Sequence, residues 1–134
     1  MKLELSIITP ERELLTEQVD QVTLPTEAGE ITVLPHHIPL VTALKHGELI
    51  VHLGSTTRHI AIHGGFADID GQRVRVLADA AELSEEIDER RAQEALDRAE
   101  KAKAEAKDHV ELAEITALIE RNLTRLKVAR RKHR

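Results

Sequence analysis

All six glycines and all four prolines of this 134-residue chain fall at or before Gly71. From Glu82 onward neither occurs, so the two strongest turn-makers and helix-breakers are confined to the first part. A stretch punctuated every few residues cannot sustain a long helix, whereas one without punctuation has little to stop it. The chain is therefore expected to have two parts of different architecture that meet near Ala80–Ser84, with boundaries at 1–83 and 84–134.

The first part reads as short strands. Leu3, Leu5 and Ile7 alternate within Lys2–Thr9, and Pro10 stops the run. Further runs are Gln18–Leu24, Ile31–Leu34, Leu40–Leu44, Glu48–Leu53, Arg58–His63, Phe66–Ile69 and Gln72–Leu77. Asp70-Gly71 between the last two signals a hairpin of type I′, and Gly64-Gly65 a bulge or tight bend. Many short strands with regular turn signals point to a sandwich or barrel.

The second part has a helical period. Ala92, Ala95, Ala99, Ala102 and Ala106 form a stripe of small residues at alternating three- and four-residue spacing. After a break near Lys107–His109, larger residues repeat the spacing at Leu112, Ile115, Ile119, Asn122, Leu126 and Ala129. Asp108 with Glu111 matches a capping box opening the second helix. A small-residue stripe facing a large-residue stripe predicts an antiparallel αα-hairpin. Alanines bury little area, so such a hairpin is marginal alone and able to leave its support.

Composition excludes several functions. There is one Phe and no Tyr or Trp, and the net charge is −5, which argues against nucleic-acid binding. Without cysteines there are no disulfides or thiolate sites. Residues 1–20 lack the pattern of a signal peptide, and no run approaches the ~18 apolar residues of a bilayer span. Direct membrane insertion is therefore not expected. His36-His37 point to opposite faces of an extended chain, and His59 with His63 make a poor metal site by themselves. Nucleophile elbows, phosphate-binding glycine loops and HExxH are missing, so no enzyme and no required cofactor are expected.

Charge is unevenly placed. Residues 1–81 hold 6 basic and 11 acidic side chains, a net of −5, while residues 82–134 hold 13 of each. In an antiparallel hairpin turning near Asp108, residues whose numbers sum to roughly 216 lie side by side. Arg91 then falls near Arg125, and Arg98 one turn from Arg121. Arg98 has Glu94 in local reach, and Arg91 has Asp88 and Glu94. Arg121 and Arg125 have no acid at i±3 or i±4. Two readings stay open: solvated arginines, or a site for a polyanion or an acidic surface. The tail Lys127–Arg134 adds five more basic residues, frayed or in contact with a partner.

Three stretches carry a resemblance that spans essentially the whole chain. Gly29-Glu30-Ile31-Thr32-Val33-Leu34-Pro35-His36-His37-Ile38-Pro39-Leu40 resembles the G-E-L-G-V-L-P-x-H-x-P-L signature of the epsilon subunit of bacterial (F-type) ATP synthases. Gly64-Gly65-Phe66 followed by Val76-Leu77-Ala78-Asp79 resembles that family's G-G-F … V-x-V-L-A-D. Ile87-Asp88-Glu89-Arg90-Arg91-Ala92 resembles its I/L-D-x-x-R-A motif. Thr32 departs from the pattern, standing where a second glycine is usual, so a different local turn is expected.

The resemblance implies an α+β fold, a sandwich of about ten strands followed by a two-helix hairpin. It implies a non-catalytic rotor subunit of a proton-translocating enzyme, peripheral at the cytoplasmic face of the plasma membrane. Its partners would be the gamma subunit, the polar loops of the c-ring and, with helices extended, the alpha/beta catalytic ring, where the helices inhibit ATP hydrolysis. ATP is implied as a regulatory ligand of the folded hairpin, held by Glu82, Asp88, Arg91, Ala92, Arg98, Arg121 and Arg125. Glu27, Ala28, Gly29 and Glu30 occupy the loop that resembles the c-ring contact. The alternative from another class is a stand-alone sandwich adaptor with a coiled-coil docking hairpin.

Overall fold

The computed structural model describes residues 1–131, so Lys132, His133 and Arg134 of the basic tail lie outside the described residues. Eight strands come first: β1 (Leu3–Ile8), β2 (Glu13–Val19), β3 (Gln21–Thr26), β4 (Gly29–Val33), β5 (Leu40–Leu53), β6 (Thr56–Ile69), β7 (Arg73–Ala78) and β8 (Ala81–Leu83). A 3-10 turn, Ser84–Glu86, leads into the helices α1 (Glu89–Ala104) and α2 (His109–Arg131). The ladder runs β2-β1-β7-β6-β5-β3-β4, with β8 added to β6. β1 and β7 are parallel, and the other pairs are antiparallel. Period-2 alternation puts Leu3, Leu5 and Ile7 of β1 and Val74, Val76 and Ala78 of β7 into one core.

The strand count differs from expectation for a physical reason. β5 and β6 are 14 residues each, and each joins two of the expected runs. Gly64-Gly65, expected as a bulge or tight bend, is a bend inside β6 and not a break between two strands. Gly64 and Gly65 have φ of 76° and 118°, and the ladder with β5 resumes on both sides of them. The Ile60–Ile62 part of β6 pairs with β8, whereas Gly65–Ile69 pairs with β7, so one strand serves both layers of the sandwich. Counting such halves separately restores the expected ten or so.

Two turns also differ. Gly71 does not adopt positive φ, so the β6–β7 turn is not type I′. It is held by the Asp70 carboxylate, which accepts the N–H groups of Gln72 and Arg73 at 2.8 Å. Thr32 is no turn residue but part of β4, its hydroxyl 3.1 Å from that of Thr23 on β3.

The hairpin follows its sequence pattern. Asp88 caps α1 by accepting the Arg91 N–H at 3.1 Å, and Asp108 caps α2 through the Glu111 N–H at 2.8 Å. Ala92, Leu96 and Leu126 are buried in the helix–helix seam, with Ile119 against them. It is α2 that lies on β5 and β6, while α1 packs on α2. The apolar part of the α2–sandwich contact is small: Ala61, Ile87, Val128 and Ala129.

Candidate functional site: the seam between α2 and the sandwich

Three of the seven expected nucleotide residues are exposed arginines on the helices. Arg91 has 84% of its side chain exposed, its Nε 3.9 Å from Asp88. Arg98 and Arg121 are exposed as well. Asp88 is engaged in its cap, and Ala92 is fully buried in the seam. Arg125 is different. It is 22% exposed and turned onto β8, donating from Nε and Nη2 to the two oxygens of Glu82 at 2.9 and 3.1 Å. The structure thus pairs Arg125 with Glu82 and leaves Arg91 and Arg98 on the open side of α1. The acid missing from the helix is supplied by a strand, which local spacing cannot reveal.

Glu82 has a second partner. His63 Nε2 donates to its Oε1 at 3.2 Å, and His63 Nδ1 lies 3.3 Å from His46 Nδ1 on β5. A carboxylate only accepts, so neutral His63 carries its proton on Nε2 and accepts from His46 through Nδ1. Burial pushes Glu82 up, but hydrogen bonds from His63 and Arg125 and their charges hold it below the ordinary value of 4.5. His46 is pushed below 6.5, first by burial and then by His63; Arg121 adds to this, while Glu120 and Asp79 oppose it.

A second cluster repeats the arrangement one strand away. Glu48 on β5, with only 5% of its side chain exposed, receives Arg131 Nε and Nη2 at 3.0 and 3.1 Å. His59 Nδ1 lies 2.9 Å from the same carboxylate, and Lys127 Nζ 3.9 Å away. Burial raises Glu48, yet the Arg131 bonds and the charges of His59, Arg131 and Lys127 leave it below 4.5. His59 and His63 therefore each have the carboxylate that the sequence seemed not to supply. Among the described residues no group of three or more ligands could hold a metal ion.

Sequence reasoning missed Glu48, His46, Lys127 and Arg131 in these roles. A signal was present for one pair. The β5–β6 hairpin turns at Gly54-Ser55, and pairing Leu53 with Thr56 fixes His46 opposite His63. A groove of about 560 Å³ lies beside the helix seam, lined by Gln93, Leu96, Leu123, Leu126, Lys127 and Arg130, among others. None of the seven expected nucleotide residues lines it.

Glu27 and Ala28 are exposed at the tip of the β3–β4 turn, and Glu27 shares a cleft with Glu120 of α2 while Glu30 shares another with Thr124 and Lys127 of α2. Gly29 opens β4 with φ 120°, and Glu30 follows it opposite Pro25. A row of exposed apolar side chains crosses the outer sheet: Ile8 on β1, Leu77 on β7 and Phe66 on β6, in register with one another. Phe66, the only Phe, Tyr or Trp of the chain, is 59% exposed, and Leu77 51%.

Two family models cover nearly all of this architecture. Residues 2–84 match the "ATP synthase, Delta/Epsilon chain, beta-sandwich domain", and residues 85–130 the "ATP synthase, Delta/Epsilon chain, long alpha-helix domain". The chain belongs to the ATP synthase delta/epsilon family. It is 48% identical over 128 residues to the ATP synthase epsilon chain of Syntrophobacter fumaroxidans, covering 96% of both chains. The epsilon chain of Dehalococcoides mccartyi strain BAV1 is 47% identical over 135 residues, with 98% of this chain and 96% of the relative covered. Among solved structures, a chain of the Euglena gracilis mitochondrial ATP synthase, in a structure of OSCP, F1 and c-ring, superposes with a TM-score of 0.83 at 28% identity; the match covers 96% of this chain and 81% of that one. The family member is an epsilon-type subunit, not a catalytic one. None of its described helices is long and apolar enough to cross a membrane.

Proposed function

We propose that the chain is a rotor subunit of the central stalk of a proton-translocating ATP synthase, peripheral at the cytoplasmic face of the plasma membrane. Residues 1–83 form the part fixed to the rotor, and 84–134 a mobile regulatory arm. The observation that carries the reading is the exposed Ile8–Leu77–Phe66 row on a family member's sandwich. An apolar band on an otherwise charged surface marks a docking face, and the gamma subunit is the partner assigned to it. The acidic Glu27–Glu30 turn is assigned to the polar loops of the c-ring, where its two carboxylates suit basic groups.

The arm is assigned a brake on ATP hydrolysis, acting when the helices extend to the alpha/beta ring, with ATP favouring the folded hairpin. Arg91 and Arg98 are open to a phosphate chain, and Arg121 is exposed. Arg125 reaches an incoming phosphate only by leaving Glu82, so nucleotide affinity is set partly by that competition. A ligand can move the equilibrium only by its differential affinity for the two states.

Co-purification with a gamma subunit tests the first assignment. The full chain and a version without residues 85–134 should both bind gamma, and Phe66→Asp should weaken binding at least tenfold; an unchanged Phe66→Asp variant sinks the docking face. A thermal melt with and without millimolar ATP tests the second. ATP should raise the midpoint of the parent chain and leave Arg91→Ala unmoved. Arg91 is the informative position, because Arg125→Ala also removes the Glu82 contact. Equal midpoints for the parent remove the nucleotide assignment and leave the stalk assignment standing.

A further inference from the structure

Two carboxylates, Glu48 buried and Glu82 half-buried, hold α2 to the sandwich in the same way. Glu82 lies between His63 of β6 and Arg125 of α2, and Glu48 between His59 of β6 and Arg131 of α2. The apolar contact around them consists of Ala61, Ile87, Val128 and Ala129, a small area for a helix of 23 residues. Because α1 packs on α2, whatever frees α2 frees the hairpin. We propose that Glu48 and Glu82 form a two-point clasp on α2 whose grip is released when the imidazoles beside them take up protons.

Charge gives the direction. With neutral imidazoles, Glu82 and Arg125 balance. One proton on the His46–His63 pair leaves the sandwich side of this contact more positive, facing Arg125 and Arg121 of α2. Glu120 of α2 and Asp79 of the sandwich offset part of that charge. A first proton is tolerated if His46 turns its lone pair to His63. A second places two N–H groups against each other across 3.3 Å, which forces the rings apart. At the other point, Glu48 already faces Arg131 and Lys127 of α2, and a charged His59 makes three cations around one buried carboxylate. Both points therefore lose hold on α2 in acid. The proposal stands on the docked geometry and not on the stalk assignment, and its test needs neither gamma nor ATP.

The chain has no cysteine, so two introduced ones are unique labelling sites. Spin labels at Ser55→Cys, in the β5–β6 turn, and Ala117→Cys, on the exposed side of α2, report the docking distance in the full chain. The expected result is one narrow distance at pH 7.5, and loss of that distance to longer, broader ones at pH 5.5. Adding Glu48→Gln and Glu82→Gln should give the broad distribution at both pH values. The same narrow distance at pH 7.5 and 5.5 in the labelled parent overturns the proposal, as does a double variant that keeps the parent's pH response. Strand circular dichroism checks that the sandwich is intact. If the double variant loses it, Arg131→Gln, which leaves the sandwich unchanged, takes its place. It should broaden the distance already at pH 7.5, and a parent-like narrow distance there removes the Glu48 point.

Discussion

A methyl group on Gly65 would sit 2.2 Å from the Leu77 carbonyl oxygen and 2.7 Å from the Ala78 Cα, and the backbone there has φ 118°. At Gly54 the φ is 61° and no atom comes within 4 Å of such a methyl. Gly65→Ala should therefore cost about 3 kcal/mol or more, because neighbouring backbone cannot yield, whereas Gly54→Ala carries only the left-handed penalty of about 1 kcal/mol. Urea midpoints of the two variants check the contrast, and equal losses contradict it. At this scale the sequence was partly readable. Gly64-Gly65 is a bend, as the pair suggested. The partner of Arg125 was not readable, because Glu82 lies 43 positions away and only the docking of α2 on β8 brings it near. Glu48 was hidden by the same cause: nothing local marks a carboxylate in a strand as the partner of an arginine 83 positions later.

The helices were legible as elements because their signals are local. Caps, the alanine stripe and the larger facing stripe all act within a few turns, and the observed α1 and α2 start directly after Asp88 and Asp108. Asp108→Ala should cost about 1 kcal/mol and fray the first turn of α2, seen as lost amide protection at Glu111 and Leu112 with the sandwich unaffected. Asp88→Ala should cost a similar amount, about 1 kcal/mol, at the start of α1. A changed ATP response in that variant would thus mix capping with binding. Strands were harder to delimit. Glycine inside a strand and glycine ending one look alike until the pairing partner is known, so β5 and β6 were each divided in two.

For the molecule as a whole, the uneven charge of the two parts is tied across their junction by Arg12–Glu86, Arg125–Glu82 and Arg131–Glu48. Glu48 and Glu82 have folded-state values below 4.5, so their contribution is complete above that pH and is lost as pH falls through the lowered values. His46 is also depressed in the folded state, below 6.5; the unfolded chain takes up its proton first, so stability falls as pH drops below 6.5. Denaturation midpoints should therefore decline in two stages on acidification, and a midpoint that rises between pH 7 and 5.5 would contradict the His46 assignment. The placement of the one phenylalanine has a practical outcome. With neither Trp nor Tyr, the chain is nearly silent in ultraviolet emission, and its Phe66 stands in the open apolar row. Phe66→Trp would install a single fluorophore on that face, emitting at long wavelength while wet and shifting to the blue when a subunit covers it, so that assembly of the stalk could be followed in real time by colour alone.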